Sequence, residues 1–202
     1  MNEVPETDRA VLAGYGCDER GGYLIVDELE EQAWRRQWLR LKSSRFTLQA
    51  LSGRYCTGRH DLKSGRSQPC PERAELGPPP YEQCNECFRA TGFNPAFYNA
   101  MSISPEQQRR NREPHVVYLA HFGAGTLKVG MTYERRGIGR LLEQGARAAA
   151  LLARFPDAYA ARELEERVAR VLGIPEAIRP ARKRHLLGAP FSPEQARLEL
   201  SN

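Results

Sequence analysis

The chain has 202 residues, 41% hydrophobic and 27% charged, an ordinary composition for a globular protein of one or two domains. Its acidic start lacks the apolar core of a signal peptide, and no apolar run reaches the roughly 20 residues of a membrane span, so we expect a cytoplasmic protein. The net charge is +5, and residues 104–202 carry 17 basic and 11 acidic side chains. This basic excess fits an anionic partner such as nucleic acid, or a solvated surface rich in arginine.

The first fifty residues predict mainly β-structure with one helix. Residues 22–26 are a short apolar run typical of a strand. Residues 29–41 place leucine, alanine and tryptophan at roughly helical spacing, which predicts a helix. Residues 45–51 alternate in hydrophobicity and predict a second strand that leads towards Cys56.

Four of the five cysteines lie in residues 56–87, a segment rich in glycine and proline with almost no aliphatic side chains. Such a segment cannot fold on hydrophobic burial alone, and clustered cysteines in a cytosolic chain indicate a metal before disulfides. Two of them, spaced Cys-x-x-Cys, can reach one tetrahedral ion together. The sequence therefore predicts a structural zinc site with the ligands Cys56, Cys70, Cys84 and Cys87.

Two alternatives to this ligand set remain open in the sequence. His60 is another candidate for the fourth ligand, and all four thiols could also be reduced structural cysteines without metal. Cys17 lies far from the others along the chain, and we expect it to be a buried thiol.

The second half of the chain begins with a polar, proline-bounded stretch. Ser104 and Pro105 predict a helix cap and first position, or a linker, and we place the domain boundary here. Residues 1–103 would form a β-rich region containing the zinc module, and residues 104–202 a second domain.

Two strands and two helices are predicted in this second domain. Residues 116–120 and 127–132 read as strands joined by a glycine-rich turn. Residues 138–154 show one apolar face at helical spacing and predict a long helix. Asp157 is a good N-cap and Gly173 a good C-terminal signal for a further helix over residues 158–172.

The polar groups of these elements are placed unusually. Tyr118 lies within the first strand, Lys128 precedes Gly130 in the second, and Arg140 lies in the first helical turn. On the last helix Glu165 falls close to the apolar face, whereas Glu163 and Glu166 point away. A buried carboxylate requires a cation, which can be a metal ion or a nearby arginine.

These residues resemble the GIY-YIG nuclease superfamily. Val116-Val117-Tyr118 stands where that family has Gly-Ile-Tyr, Lys128-Val129-Gly130 stands where it has Tyr-Ile-Gly, and Arg140 stands at its helix arginine. The cysteine segment adds a similarity to a bacterial family that carries a cysteine-rich zinc module upstream of a GIY-YIG-like domain. The resemblance implies an α+β fold in which helices flank a small antiparallel sheet, behind a β-rich zinc-binding module.

The resemblance also implies an activity, namely metal-dependent endonucleolytic hydrolysis of nucleic-acid phosphodiesters with the zinc module used for docking. Glu165 would bind Mg²⁺ or Mn²⁺ and Arg140 would bind the phosphate. Tyr118 would orient the attacking water or accept its proton, helped by Lys128. Two alternatives remain, a GIY-YIG-fold enzyme acting on an anionic small molecule in biosynthesis and a nucleic-acid-binding protein that does not cleave.

Two further features bear on this chemistry. His121 is an alternative base, but it alternates in phase with Leu119, so we expect it on the opposite face from Tyr118. A basic cluster near the end of the chain could follow a phosphate backbone or be a solvated loop; it comprises Arg179, Arg182, Lys183, Arg184 and His185.

Overall fold

The computed structural model describes residues 10–30, 33–42, 45, 47–49, 52–64, 66–79, 81–123 and 125–201. It shows an α+β protein built from small antiparallel sheets and helices. The chain divides into two compact units, Met1–Gln107 and Gln108–Asn202. Among the helices described, none has the length and apolar character that crossing a membrane requires.

A three-stranded antiparallel meander opens the first unit, formed by β1 (Ala10–Asp18), β2 (Gly21–Glu30) and β3 (Ala33–Arg40). The strand predicted at residues 22–26 lies within β2. The helix predicted over residues 29–41 is wrong, because residues 29–30 belong to β2 and residues 33–40 to β3. Of the strand predicted over residues 45–51, the described residues 45 and 47–49 lie in no strand, and residues 46, 50 and 51 lie outside the described residues.

A buried ion pair connects this sheet to the segment that follows it. Asp27 of β2 faces Arg36 of β3, and both Oδ atoms accept bonds from the guanidinium at 2.7 and 2.8 Å. Nη2 of Arg36 also donates to the backbone oxygen of Thr57 at 2.7 Å. The pair therefore fixes the chain immediately after Cys56 against the sheet.

The rest of the first unit contains few regular elements, and the last of them, α2, continues into the second unit. A small hairpin of β4 (Arg59–His60) and β5 (Ser67–Gln68) is followed by helix α1 (Asn85–Thr91). Helix α2 (Pro105–Asn111) begins where Ser104 and Pro105 predicted it, and Ser104 Oγ accepts the Gln107 N–H at 3.2 Å. We call the segment from Cys56 to Thr91 the cysteine module.

The second unit is built on one antiparallel sheet with strand order β7-β6-β8. Its strands are β6 (His115–Gly123), β7 (Thr126–Tyr133) and β8 (Ala148–Phe155). Its helices are α3 (Gly139–Gln144), α4 (Ala158–Leu172), α5 (Pro180–Leu187) and α6 (Pro193–Ser201). The predicted hairpin is present, and α4 has the predicted bounds, with Asp157 Oδ1 accepting two backbone N–H bonds at its start.

The long helix predicted over residues 138–154 is wrong. Helix α3 ends at Gln144, where Gly145 adopts a left-handed φ of 74°, and the alanine-rich residues that follow form β8. Strand β8 pairs with β6 from His115↔Phe155 to His121↔Ala148 and so supplies hydrogen bonds along the second edge of β6. Helix propensity is a weak preference, and pairing in the sheet overrides it here.

Alternation along β6 separates the two faces of the sheet. One face carries an apolar core of Val117, Leu119 and Val129, which packs against Ala161 of α4. The opposite face carries Tyr118, Ala120 and Phe122, packed by Leu141, Ala146, Ile178 and Leu186. Tyr118 is therefore held on a rigid strand whose reverse side is the core of the unit.

Candidate functional site

The cysteine module brings its four thiols to one point. The β4–β5 hairpin returns the chain so that Cys56, before it, meets Cys70, after it. Cys84 is the N-cap of α1 and Cys87 lies in the first turn of that helix. All four Sγ atoms lie within 4.8 Å of one another, and all the sulfurs are free of disulfides.

This arrangement fits a tetrahedral metal ion. A zinc ion with Zn–S bonds of about 2.3 Å places its sulfurs roughly 3.8 Å apart, which is within the observed spread. Backbone N–H groups point at the sulfurs, from Cys84 to Cys56 Sγ at 3.2 Å and from Cys87 to Cys84 Sγ at 3.5 Å. Bonds of this kind favour the thiolate form that binds metal. The four cysteines can therefore hold one metal ion.

The alternative ligands stand apart from this group. Among the described residues the four cysteines form a complete cluster without His60 or Cys17. Cys17 is half-buried in β1, with its sulfur 3.7 Å from the backbone oxygen of Asp18, so the expected full burial is wrong.

The thiols differ in acidity when no metal is present. The N–H of Cys87 lowers the pKa of Cys84, whereas burial raises the pKa of Cys56 and of Cys87. Cys56 and Cys87 would therefore have to release protons as a metal binds.

Gly58 permits the close approach that forms the hairpin. Its φ is +88°, and a Cβ atom there would lie 2.0 Å from the backbone oxygen of Gln68. No other residue fits this position without moving β5, and with it Cys70.

In the second unit, Tyr118 lies over a glycine on the neighbouring strand. Tyr118 of β6 is paired with Gly130 of β7, and a Cβ atom on Gly130 would lie 2.7 Å from the tyrosine hydroxyl. Only a glycine leaves room for the ring in this position. Tyr118 is 3% exposed, so its hydroxyl needs a hydrogen-bond partner.

That partner is Gln144, the last residue of α3. The Tyr118 hydroxyl donates to Gln144 Oε1 at 3.2 Å, and Lys128 Nζ approaches the same oxygen at 3.3 Å. Lys183 of α5 donates to the backbone oxygen of Gln144 at 2.8 Å. We call the group formed by Tyr118, Lys128, Arg140, Gln144 and Lys183 the Gln144 site.

Gln144 was not among the residues predicted from the sequence, although a signal was present. Gln144 follows Arg140 by four residues, so both lie on one face of α3. A helix face that already carries the candidate arginine could have pointed to its neighbour one turn later.

Charges in the Gln144 site act on one another. Burial raises the pKa of Tyr118, and the Arg140 guanidinium opposes that rise. Burial and the positive charge of Arg140 lower the pKa of Lys128 to about 8. Near neutral pH the phenol is therefore protonated, while part of the Lys128 population is a neutral amine.

Glu165 of α4 lies at the outer edge of β7. It is 7% exposed, whereas Glu163 and Glu166 are exposed, as the helical pattern predicted. Glu165 Oε1 accepts the backbone N–H of Met131 at 3.0 Å. Burial is the main cause of the raised pKa of Tyr118 and of the lowered pKa of Lys128, and the charge of Glu165 contributes a smaller upward shift to each.

The second oxygen of Glu165 already has a cation partner. Arg162 Nη1 lies 2.7 Å from Glu165 Oε2 and 2.8 Å from Glu176 Oε2. This is the ion pair that the sequence left open as the alternative to a metal. Burial still raises the pKa of Glu165, although Arg162 opposes it. A divalent cation on Glu165 fits only where it displaces Arg162 from Oε2.

Among the other candidates, only one residue of the basic cluster belongs to the Gln144 site. His121 faces away from Tyr118, and its Nε2 lies 2.9 Å from Glu199 Oε2. In the basic cluster of α5, Arg182 donates to Thr126 Oγ1 at 3.3 Å, while Arg184 and His185 are exposed. Lys183 is the member of that cluster that reaches Gln144.

One comparison with known proteins gives a match. The family model described as "Protein of unknown function (DUF2797)" matches residues 83–176, a little under half of the chain. The match includes Cys84 and Cys87, Tyr118 and Lys128 of the sheet, Arg140 of α3 and Glu165 of α4, and it ends before Lys183. No curated protein and no solved structure matches the chain. Over residues 83–176 the chain is thus similar to a family whose description names no activity.

Proposed function

We propose that this protein is a metal-dependent hydrolase of nucleic-acid phosphodiesters of the GIY-YIG type, with a zinc-bearing cysteine module that docks the substrate. The observation that carries the proposal is the meeting of Tyr118 and Lys128 at Gln144 Oε1, one helical turn along α3 from Arg140. These residues come from two strands and a helix, in the order that the resemblance requires. A phenol, an amine and a guanidinium at one place can bind a phosphate and move a proton.

Each residue would have a separate task in hydrolysis. Arg140 would offer planar N–H donors to the non-bridging oxygens as negative charge develops on the phosphate. The protonated Tyr118 hydroxyl would orient the attacking water. Neutral Lys128 would accept the proton from that water as the new P–O bond forms and the bond to the leaving alcohol breaks. The leaving oxygen would take its proton from solvent.

Glu165 is the residue that would hold a divalent cation. Such a cation supplies Lewis-acid stabilisation of the phosphate and of the leaving oxygen. Arg162 would then pair with Glu176 alone, which keeps its guanidinium neutralised. The competition between Arg162 and a cation for one oxygen makes metal dependence the sharpest test of the proposal.

Cleavage of supercoiled plasmid with Mg²⁺ or Mn²⁺ tests this function. Wild type should nick the plasmid, and Glu165→Ala and Arg140→Ala should lose about 10²-fold or more in rate, the usual effect of removing a charge-stabilising group. Glu163→Ala is the matched control, because it removes the same charge from an exposed position on the same helix. Equal cleavage by all four proteins would reveal a contaminating nuclease and leave the assignment of these residues without support.

A second candidate is a nucleic-acid-binding protein that does not cleave. The observation that favours it is the occupation of Glu165 Oε2 by Arg162. Oligonucleotide binding that depends on Arg140 and Lys128, with no cleavage under any divalent cation, would select this candidate over the hydrolase.

A further inference from the structure

Two of the four lysines in the chain meet at one glutamine. Lys128 Nζ approaches the side-chain oxygen of Gln144, and Lys183 Nζ donates to its backbone oxygen. Within the described residues, neither ammonium group pairs with a carboxylate. The other two lysines, Lys42 and Lys63, are exposed.

Lys183 projects from α5 and is held in place by contacts with β6 and α3. Its ammonium group lies 4.6 Å from the centre of the Phe122 ring, on the Tyr118 face of the sheet. It is half-buried, whereas Arg184 beside it is exposed. A lysine ordered in this way has already lost part of its hydration and of its rotamer freedom, so an anion that binds it meets a preorganised cation.

The Gln144 site therefore brings two lysines to the neutral oxygens of Gln144. Arg140 lies one helical turn away on α3, with its guanidinium 3.5 Å from Glu143 Oε2. Burial lowers the pKa of both Lys128 and Lys183, and the positive charge of Arg140 lowers both further, as expected for like charges that repel one another. Such mutual repulsion of like charges is unfavourable for the protein alone. An anion placed among the three would relieve it.

We propose that Lys183 is a substrate-binding residue, which with Arg140 and the protonated form of Lys128 forms a cradle of cations for a phosphate group. In the hydrolase the neutral form of Lys128 accepts the proton from water, and Arg140 and Lys183 then hold the phosphate. The two lysines would turn from the oxygens of Gln144 to the oxygens of the phosphate. The proposal rests on the proposed function for the identity of the substrate, but phosphate binding itself does not require cleavage. The competing explanation is structural, because Lys183 also caps a free carbonyl at the end of α3.

Lysine acylation read by mass spectrometry tests the cradle directly, because the chain has few lysines. Inorganic phosphate, compared with chloride at equal ionic strength, should slow acylation of Lys128 and Lys183 about 5-fold or more. Lys42 and Lys63 should react at the same rate in both salts. Equal rates for all four lysines in the two salts, or equal slowing at all four, would overturn the cradle.

Substitutions of Lys183 separate a role in phosphate binding from a role in holding the end of α3. Lys183→Gln keeps a donor for the Gln144 carbonyl but removes the charge, and it should weaken binding of a short single-stranded oligonucleotide about 10-fold, as expected for a lost charge-assisted contact. The slope of log affinity against log salt should become shallower by about 0.7, the value for one phosphate contact. Lys183→Arg should restore both, and Arg184→Gln, which removes a charge from an exposed position on the same helix, should change affinity less than 2-fold.

The outcomes also distinguish this proposal from the hydrolase. If phosphate protects Lys128 and Lys183 from acylation and no plasmid is cleaved, the cradle is supported and the hydrolase is contradicted. If plasmid cleavage depends on Glu165 but Lys183→Gln and Arg184→Gln bind the oligonucleotide equally well, the hydrolase is supported and the cradle is contradicted. Thermal unfolding of each variant identifies any that fails to fold, and acylation of wild type then decides alone.

Discussion

The cysteine module and the β6–β8 sheet reach a fixed geometry by opposite means. The buried centre of the module consists of Cys56, Cys70 and Cys87, with little more than an alanine and a leucine packed beside them. The sheet instead buries valine, leucine and alanine against α4 and carries its polar groups on the other face and at its edge. The module therefore depends on what its sulfurs bind, whereas the sheet has a core of its own on which a catalytic group can be positioned.

Removing one sulfur should give the largest effect. Cys70→Ala should release the metal and unfold the module, because structural zinc contributes about 10–16 kcal/mol of apparent binding free energy in small domains. Both tryptophans lie in β3, and the Trp34 ring contacts Arg73 of the module, so tryptophan fluorescence reports on this unit. Elemental analysis should show about one zinc per chain in wild type and a loss of that zinc in the variant.

Cys17→Ala is the control for this change, since Cys17 lies outside the cluster. It should leave the zinc content and the tryptophan spectrum unchanged. A wild-type protein without metal, whose four thiols react freely while the tryptophan spectrum stays native, would end the account of the module as a metal site.

The second change acts on the sheet and should leave the module intact. Arg162→Ala removes the cation partner of Glu165, and these two side chains are 14% and 9% exposed. Breaking a buried ion pair on one side destabilises a protein by about 3–5 kcal/mol, because the remaining charge stays buried. Urea unfolding followed by circular dichroism should show this loss without loss of zinc.

Manganese makes this variant informative about function. If Glu165 can bind a divalent cation, Mn²⁺ should raise the unfolding temperature of Arg162→Ala more than that of wild type. Arg167→Ala, at an exposed position of the same helix, provides the comparison. An unfolding temperature of Arg162→Ala that does not respond to Mn²⁺ would count against a cation on Glu165.

The same contrast explains which features the sequence could predict. The cysteine cluster and helix α4 were predictable because each depends on local spacing, with thiols in a Cys-x-x-Cys pair and a cap at Asp157. The inward position of Glu165 followed from helical periodicity. These signals need no knowledge of what packs against the segment.

Strands β3 and β8 could not be predicted by the same reasoning. Trp34 and Trp38 are four residues apart, a spacing that places them on one face of a helix and equally on one face of a strand. The alanine-rich residues of β8 favour a helix locally, and their conformation is decided by pairing with β6. The contacts of Gln144 were equally hidden, because they join a helix end to two strands and a distant lysine.

A third change tests whether Tyr118 needs a glycine opposite it on β7. Gly130→Ala would place a methyl group 2.7 Å from the present position of the Tyr118 hydroxyl, so the ring must move. Overpacking of this kind costs about 1–3 kcal/mol, and it should also break the hydrogen bond to Gln144. Gly139→Ala is the matched control, because nothing lies within 4 Å of a Cβ atom there. Chemical denaturation of the two variants measures the difference, and equal stability would mean that Tyr118 does not need this glycine.

The last change concerns a pH dependence due to Lys128. An unfolded lysine titrates near pH 10.4, whereas burial and Arg140 lower the pKa of Lys128 in the folded protein to about 8. The unfolded chain therefore binds this proton more tightly, so the contribution of Lys128 to stability is present above about pH 10.5 and is lost as the pH falls through about 8. Lys128→Met removes this dependence and should be more stable than wild type near pH 7, with a difference that shrinks as the pH rises.

Unfolding temperatures of wild type and Lys128→Met between about pH 6 and about pH 10 measure this difference, and Lys42→Met is the control at an exposed lysine. Other groups titrate in the same range, but they are common to wild type and variant, so they largely cancel in the comparison. A constant difference across the range would mean that the Lys128 ammonium is as stable in the fold as in water. In that case Lys128 could not supply a neutral amine to accept a proton near neutral pH, and its part in the proposed hydrolysis would be limited to binding phosphate.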